Sequence, residues 1–240
     1  MAGPRRKARV KSQRRRVMKV CFVLRLMLTF AAITHIFARP TVIGRPDNIP
    51  TEGPVIFFCN HRSLFDVIAV FGALKTRRDI AFLATAGLFV WPFGTILRWM
   101  GHIPVFRGTA AAIEATDTGV IYLRVGAAVV IFIEGKISKD ATLLEPKGGC
   151  AHMAWATGAP AVPISLVGTE RVKPPNTPIW YWRWAQRYAV VIGKPVVRPE
   201  IRMEIENEDE RGQVWRHEFS VRCMMDLADG IHEGELALAA

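Results

Sequence analysis

The chain has few cysteines, four in 240 residues, and none of them belongs to a C-x-x-C pair. Cys21, Cys59, Cys150 and Cys223 lie far apart, which is not the spacing of a disulfide framework or a zinc site. We therefore expect free thiols in a reducing compartment. A G-x-S-x-G segment, which carries the serine nucleophile of many hydrolases, is also missing from the sequence.

Acidic residues are missing from the first 19 positions, which hold nine of the lysines and arginines. The net charge of +11 therefore comes mostly from this tail, and the rest of the chain is nearly neutral. Such a tail suits anionic lipid headgroups, nucleic acid, or the orientation of a membrane segment. No basic and aromatic binding face follows it, so we expect no nucleic-acid partner.

An apolar segment at 17–38 follows the tail and contains Arg25 and His35. An arginine near the middle of a spanning helix is costly, and on a helix Arg25, His35 and Arg39 fall on one side. We expect a helix that lies in one leaflet at the cytoplasmic face of the cell membrane. A transmembrane helix is the close alternative, and a secretory signal without a clear cleavage site is the third.

From residue 54 onward, apolar runs typical of strands alternate with helical patterns. Strands are predicted at 54–60, 80–86, 102–106, 127–135, 159–168 and 187–196. Helices are predicted at 63–74, 88–101, 109–126, 149–157 and 208–229. This alternation predicts an α/β fold with a central, mostly parallel sheet flanked by helices. We divide the chain into a basic cytoplasmic tail (1–19), a membrane-anchoring helical segment (17–40) and an α/β domain (41–240).

The segment NHRSLFD at 60–66 brings a histidine, a hydroxyl and a carboxylate close together. Asp66 lies one helical turn beyond the start of the predicted helix, where its side chain can accept a hydrogen bond from one ring nitrogen of His61. The other nitrogen is then free to act as a general base. Ser63 and Asp66 also have the spacing of a capping box, worth about 1 kcal/mol to a helix. Both roles are compatible, but a cap does not explain His61.

Charged residues follow two further predicted strands. Arg107 ends GHIPVFR, and a guanidinium there can bind a phosphate through two hydrogen bonds. Glu134, Gly135 and Lys136 follow the clearest predicted strand, and the glycine permits close approach of a ligand. Because parallel strands end at one edge of a sheet, we expect these groups near His61. With no serine elbow, the hydroxyl would come from the substrate, which points to direct acyl transfer.

These segments resemble the glycerolipid acyltransferase family, typified by bacterial 1-acyl-glycerol-3-phosphate acyltransferase (PlsC-like). The likeness runs from about residue 41 to 196. The H-x-x-x-x-D block of the family matches His61–Asp66, and its G-x-I-P-V-x-R block ends at Arg107. Its V-P-I block matches AVPISLVGT, which includes Pro163.

The resemblance implies an O-acyltransferase of phospholipid biosynthesis. An acyl group would move from acyl-CoA or acyl carrier protein, acting as co-substrate, to a hydroxyl of a glycerol-phosphate lipid such as 1-acyl-glycerol-3-phosphate. His61 would be the base, Asp66 its partner and Arg107 a phosphate contact, at a membrane surface. Neither a cofactor nor a metal is implied.

The third block departs from the family pattern F-P-E-G-T-R-S. The kept residues are Phe132, Glu134, Gly135 and Ser138, and the changed ones are Ile133, Lys136 and Ile137. The arginine that Ile137 replaces is read in the family as an acceptor-phosphate contact, and a lysine lacks its fork. The candidate substrate-binding residues are therefore Arg107, Glu134, Gly135, Lys136 and Ser138. Another lysophospholipid or a glycolipid is therefore an alternative acceptor. The alternative functions are a lipid hydrolase or thioesterase, and a non-enzymatic binder.

Overall fold

In the computed structural model, the described residues are 40–44, 48–74, 80–88, 93–99, 102–106, 111–178, 181–183, 185–196, 198–199 and 207–240. The predicted tail and nearly all of the predicted anchoring segment lie outside these residues, and so does Arg107. Within the described ranges, no helix has the length and apolar character needed to cross a bilayer.

The described domain is built from strands and helices that alternate along the chain. The strands are β1 (Pro40–Ile43), β2 (Val55–Cys59), β3 (Ile80–Thr85), β4 (Ile103–Val105), β5 (Ala128–Phe132), β6 (Ala161–Val167) and β7 (Tyr188–Ile192). The helices are α1 (Asp66–Leu74), α2 (Phe93–Trp99), α3 (Ala111–Arg124), α4 (Gly149–Thr157), α5 (Thr169–Val172) and α6 (Glu208–Ala239), with a 3₁₀ turn at Ala86–Leu88.

The seven strands form one sheet in the order β1-β7-β6-β2-β5-β3-β4. All neighbouring strands are parallel except β6 and β7, which run antiparallel. The prediction of a mostly parallel sheet flanked by helices is therefore confirmed. Strand β2 lies between β5 and β6, so the segments that follow these three strands meet at the same edge of the sheet.

Strand β2 is buried on both faces, as its unbroken apolar sequence VIFFC predicts. Ile56 and Phe58 pack into a core with residues of α3, α4 and α6. Phe57 and Cys59 point to the opposite face and pack with residues of α1. The sheet is thus covered on both sides, and the end of β2 is held rigidly between two cores.

Most predicted elements differ from the observed ones by a few residues at their ends, and the largest differences concern β1 and α6. Pro40, placed at the end of the anchoring segment, is the first residue of β1 and pairs with Tyr188; proline is tolerated at the start of an edge strand. Helix α6 continues ten residues past the predicted end at 229. Gly230 and Gly234 do not end this helix but let it approach the sheet, because a Cβ on Gly234 would lie 2.9 Å from Val167 Cγ2.

Candidate active site

The chain that leaves β2 is tied to β6 before it reaches His61. Asn60 is fully buried, and its Nδ2 donates to the Leu166 carbonyl at 2.9 Å. Its Oδ1 accepts from the Leu166 N–H at 2.7 Å. The side-chain amide thus continues the hydrogen-bond ladder between the two strands. We did not predict this role from the sequence, although the position of an asparagine between a buried strand and a histidine could have indicated it.

His61 and Asp66 form a buried pair. The distance from His61 Nδ1 to Asp66 Oδ2 is 2.8 Å, and the Asp66 side chain is fully buried. The same Oδ2 accepts from the backbone N–H groups of Arg62 and Ser63, each at 2.7 Å. Because a carboxylate oxygen that already accepts two N–H groups acts as an acceptor, the ring proton sits on Nδ1. The Nε2 atom is therefore the one left to accept a proton.

The capping role of this segment is also present. Asp66 is the first residue of α1, and its Oδ2 accepts from the Ser63 N–H, which is the reciprocal half of a capping box. Ser63 Oγ accepts from the Phe65 N–H at 3.0 Å and donates to the Lys173 carbonyl at 2.6 Å. One carboxylate therefore both starts the helix and orients the histidine, so the two expectations for this segment hold together.

Glu134 and Ser138 hold the main chain of His61. Glu134 Oε1 accepts from the His61 N–H at 2.8 Å, and the Ser138 N–H donates to the His61 carbonyl at 2.7 Å. Glu134 Oε2 accepts from the Leu144 N–H at 3.0 Å. Burial raises the pKa of Glu134 above its ordinary value, against the opposing effect of the two backbone hydrogen bonds. Both oxygens of Glu134 thus join the histidine loop to the segment that follows β5.

That segment packs directly on the His61–Asp66 pair. The Phe132 ring stacks on the His61 ring with 4.0 Å between centroids. Gly135 has φ of +69°, a conformation that glycine adopts without strain, and a Cβ there would lie 3.3 Å from Lys147 Cγ. The backbone N–H of Lys147 donates to the Ile133 carbonyl at 2.7 Å. The 133–135 turn and Lys147 are therefore immediate neighbours.

The loop beyond Gly135 is organised by Asp140. Its Oδ1 accepts from the Ser138 hydroxyl at 2.9 Å and from the hydroxyl of Thr142 at 2.7 Å. These hydrogen bonds, first that of the Thr142 hydroxyl, lower the pKa of Asp140 to about 2. The Ser138 hydroxyl is thus used inside the loop, while its N–H supports His61.

The structure brings most of the predicted site together. His61, Asp66, Glu134 and Ser138 are joined by direct hydrogen bonds, and Gly135 adjoins Glu134. Lys136 is exposed next to them, and Arg107 lies outside the described residues. In the described part of the chain, no three His, Cys, Asp or Glu side chains gather in a way that could hold a metal ion.

Comparisons with known proteins match this arrangement. Residues 41–167 match the family model described as Acyltransferase. The 1-acyl-sn-glycerol-3-phosphate acyltransferase BAT2, chloroplastic, of Brassica napus is 31% identical over 131 residues, which cover 53% of this chain and 37% of that protein. The 1-acyl-sn-glycerol-3-phosphate acyltransferase of Salmonella typhimurium is 24% identical over 144 residues, which cover 59% of this chain and 58% of that protein. The alignments thus span less than two thirds of these relatives.

A solved structure shares the fold. The crystal structure of the 1-acyl-sn-glycerophosphate (LPA) acyltransferase PlsC from Thermotoga maritima aligns with a TM-score of 0.60 at 23% identity. The alignment covers 89% of this chain and 81% of that one. At this identity the likeness shows only that the two proteins share an arrangement of strands and helices.

Proposed function

More than half of this chain matches the acyltransferase model, so the chain belongs to that family, and on this premise we propose that it transfers a fatty acyl group from an acyl thioester to the free hydroxyl of a 1-acylglycerol 3-phosphate. The observation that carries the proposal is the buried His61–Asp66 pair, with Nδ1 bound to the carboxylate and Nε2 left as acceptor. Relatives named as 1-acyl-sn-glycerol-3-phosphate acyltransferases support the choice of acceptor.

The reaction begins with removal of a proton. His61 Nε2 takes the proton of the acceptor hydroxyl as the oxygen attacks the thioester carbonyl. Asp66 stabilises the imidazolium that forms and holds the ring by the 2.8 Å contact to Nδ1. The stacked Phe132 ring restricts rotation of the imidazole. The pair is therefore oriented before the reaction starts. Such orientation accounts for much of the rate enhancement of a site of this kind.

The tetrahedral intermediate then collapses. The C–S bond breaks, the thiolate leaves with the proton returned from His61, and the new C–O ester bond remains. The oxyanion needs two donors aimed at its position. The Gly135 N–H already donates to the Phe132 carbonyl at 3.0 Å, so the backbone N–H groups of Lys136 and Ile137 are our candidates. The donor, as acyl-CoA or acyl carrier protein, is a co-substrate, and no step uses a metal or cofactor.

The acceptor and donor bring negative charge to a lipid surface. Lys136 and Lys147 are exposed beside the site and suit the attraction of phosphate groups. Arg107 remains a predicted phosphate contact, and the basic tail with the segment at 17–38 remains a predicted anchor at the cytoplasmic face of the cell membrane.

A serine-dependent hydrolase does not suit the geometry. Ser63 Oγ donates its proton to the Lys173 carbonyl at 2.6 Å instead of to His61. As an expected outcome, Ser63→Ala retains acyl transfer and loses about 1 kcal/mol of stability with the cap. Acyl release to water without any acceptor would instead identify a thioesterase.

The test is turnover of a labelled acyl-CoA by the full chain in detergent micelles. The acceptors are glycerol 3-phosphate, lysophosphatidic acid, lysophosphatidylinositol and a mannosylated lipid. We expect transfer to lysophosphatidic acid that is lost in His61→Ala and kept in His152→Ala, whose ring lies in an exposed pair with Asp117. Transfer that is indifferent to His61 would refute the mechanism, and transfer to another acceptor alone would refute the substrate.

A further inference from the structure

We propose that Arg62 binds the phosphate of the acceptor, so that its guanidinium is a substrate-recognition group next in the chain to the catalytic histidine. This inference rests on the proposed function, because it assigns a binding group to the phosphomonoester of that same acceptor. It starts from a cation that is largely buried and has no partner among the described residues.

Arg62 is only 7% exposed. Its guanidinium makes no hydrogen bond or ion pair with any residue in the described parts of the chain, and only its backbone N–H is used, in the bond to Asp66. None of its nitrogens is among the fully buried polar atoms without a partner in these parts, so the guanidinium reaches the surface although most of the side chain is packed inside. A guanidinium that is largely shielded from water, has no bound carboxylate among the described residues and lies next to the proposed base is suited to bind an anionic group of the substrate.

Lys173 is a buried cation with a structural role, and it is hydrogen-bonded within the protein. It is 2% exposed, and its Nζ donates to Thr177 Oγ1 at 2.6 Å, to the Thr177 carbonyl at 3.0 Å and to the Pro174 carbonyl at 3.4 Å. All three donors of this ammonium are therefore occupied. The five donors of the Arg62 guanidinium have no such set of partners within the described ranges, although the two residues lie on segments joined by the bond from Ser63 Oγ to the Lys173 carbonyl.

The backbone on both sides of Arg62 is fixed. His61 is held by Glu134 and Ser138, and Ser63 by Asp66 and Lys173. The Arg62 Cα therefore keeps a constant position relative to the imidazole of His61. A guanidinium on such a backbone, with most of its side chain packed inside the protein, can present two parallel N–H groups to a phosphate and loses less entropy on binding than a free side chain.

The carboxylates of the site form no hydrogen bond or ion pair with Arg62. Asp66 Oδ2 accepts three donors, and both oxygens of Glu134 accept backbone N–H groups. Three buried side-chain oxygens have no partner among the described residues: Asp66 Oδ1, Thr169 Oγ1 and Glu170 Oε2. Thr169 begins the helix that follows β6, at the same edge of the sheet. A hydroxyl and a guanidinium are both donors that suit phosphate oxygens.

The kinetic test compares lysophosphatidic acid with 1-monoacylglycerol, which lacks the phosphate, as acceptors for the full chain and for Arg62→Gln. We expect Arg62→Gln to raise KM for lysophosphatidic acid about 10- to 100-fold, the usual effect of losing a charge-assisted hydrogen bond, with a small change in kcat. KM for monoacylglycerol should stay within about twofold. Arg62→Lys should recover part of the loss. Arg171→Gln, which removes an exposed arginine from helix α5, is the matched control.

A binding measurement separates failure of this inference from failure of the proposed function. Glycerol 3-phosphate is titrated by calorimetry into the wild-type chain, Arg62→Gln and Arg171→Gln. If the wild type transfers to lysophosphatidic acid and Arg62→Gln binds and uses it equally well, the inference is wrong and the proposed function stands. If the wild type transfers to no phosphate-bearing acceptor, the proposed function is wrong, and the inference falls with it unless glycerol 3-phosphate binding still depends on Arg62.

Thermal stability distinguishes a substrate contact from a structural arginine. Without ligand, Arg62→Gln should melt at the same or a higher temperature than the wild type, because the charge that it removes is bound to no carboxylate in the described part of the chain. Glycerol 3-phosphate should raise the melting temperature of the wild type and not that of Arg62→Gln. A lower melting temperature of the ligand-free variant, with equal loss for both acceptors, would overturn the inference in favour of a structural role.

Discussion

Glu134 supports His61 through the main chain, with Oε1 accepting from the His61 N–H at 2.8 Å. Its other oxygen accepts from the Leu144 N–H, so one buried carboxylate joins the histidine loop to the segment after β5. We therefore regard Glu134 as a positioning residue. Its direct contact with an acceptor, expected from the sequence, remains a prediction.

Glu134→Gln should separate this support from substrate binding. An amide side chain has one oxygen, so one of the two backbone N–H groups would face an NH₂ donor, at a cost of about 1–3 kcal/mol in the free energy of unfolding. We expect kcat to fall because the imidazole shifts, with KM for the acceptor little changed. Urea unfolding and steady-state kinetics measure both.

Glu145→Gln is the control for that variant, since Glu145 is exposed on the same segment. It should change neither the unfolding free energy nor kcat appreciably. A large rise in KM with unchanged stability in Glu134→Gln would instead support direct contact between Glu134 and the acceptor.

Asp66→Asn tests the double role of the carboxylate. Through its oxygen the amide can take the place of Oδ2 and still accept the N–H groups of Arg62, Ser63 and the His61 ring, but it carries no negative charge to stabilise the imidazolium. By analogy with the serine-protease triad, kcat/KM should fall by up to about 10⁴-fold, whereas stability should fall by only about 1 kcal/mol.

The chain contains a matched control for this pair. His152 Nε2 lies 3.1 Å from Asp117 Oδ1 between helices α4 and α3, but both side chains are exposed. Asp117→Asn should leave activity unchanged and shift stability by less than about 0.5 kcal/mol, as expected for a surface pair. Equal effects of the two substitutions would show that the buried pair has no special role.

The sequence allowed most of this site to be predicted because its residues follow buried strands. The apolar runs at 54–60 and 127–135 identify β2 and β5, and parallel pairing of these strands brings His61 to Glu134. The pairing of Asn60 with Leu166 could not be predicted, since it depends on which strand lies next to β2. The antiparallel direction of β7 and the burial of Arg62 could not be predicted either, because both depend on tertiary contacts.

Gly135→Ala tests the turn beside the His61–Asp66 pair. At φ of +69°, an alanine costs about 1–2 kcal/mol through the left-handed conformation alone. Gly126 has φ of +82° and nothing within 4 Å of a Cβ, so Gly126→Ala reports that conformational cost by itself. We expect similar losses of stability and a loss of activity only for Gly135→Ala, whose Cβ would crowd Lys147. Activity retained in both would mean that the turn does not contribute to the reaction.

Stability below pH 6.5 should depend on His102. This ring is buried, its Nδ1 accepts from the Phe82 N–H at 3.3 Å, and burial lowers its pKa from 6.5 to about 4. Between these values the unfolded chain binds a proton that the native chain does not, so stability is greatest above pH 6.5 and falls as the pH drops towards 4. By about pH 4, this residue should have lowered the free energy of unfolding by about 3 kcal/mol.

The variant that isolates this effect is His102→Asn, which keeps an acceptor for the Phe82 N–H and cannot titrate in this range. Urea midpoints at pH 7, 6, 5 and 4.5 should fall less steeply for His102→Asn than for the wild type. His152→Asn, at an exposed histidine, should follow the wild-type curve. Parallel curves for the wild type and His102→Asn would mean that water or a counter-charge reaches the ring, and that His102 is not kept neutral by the core.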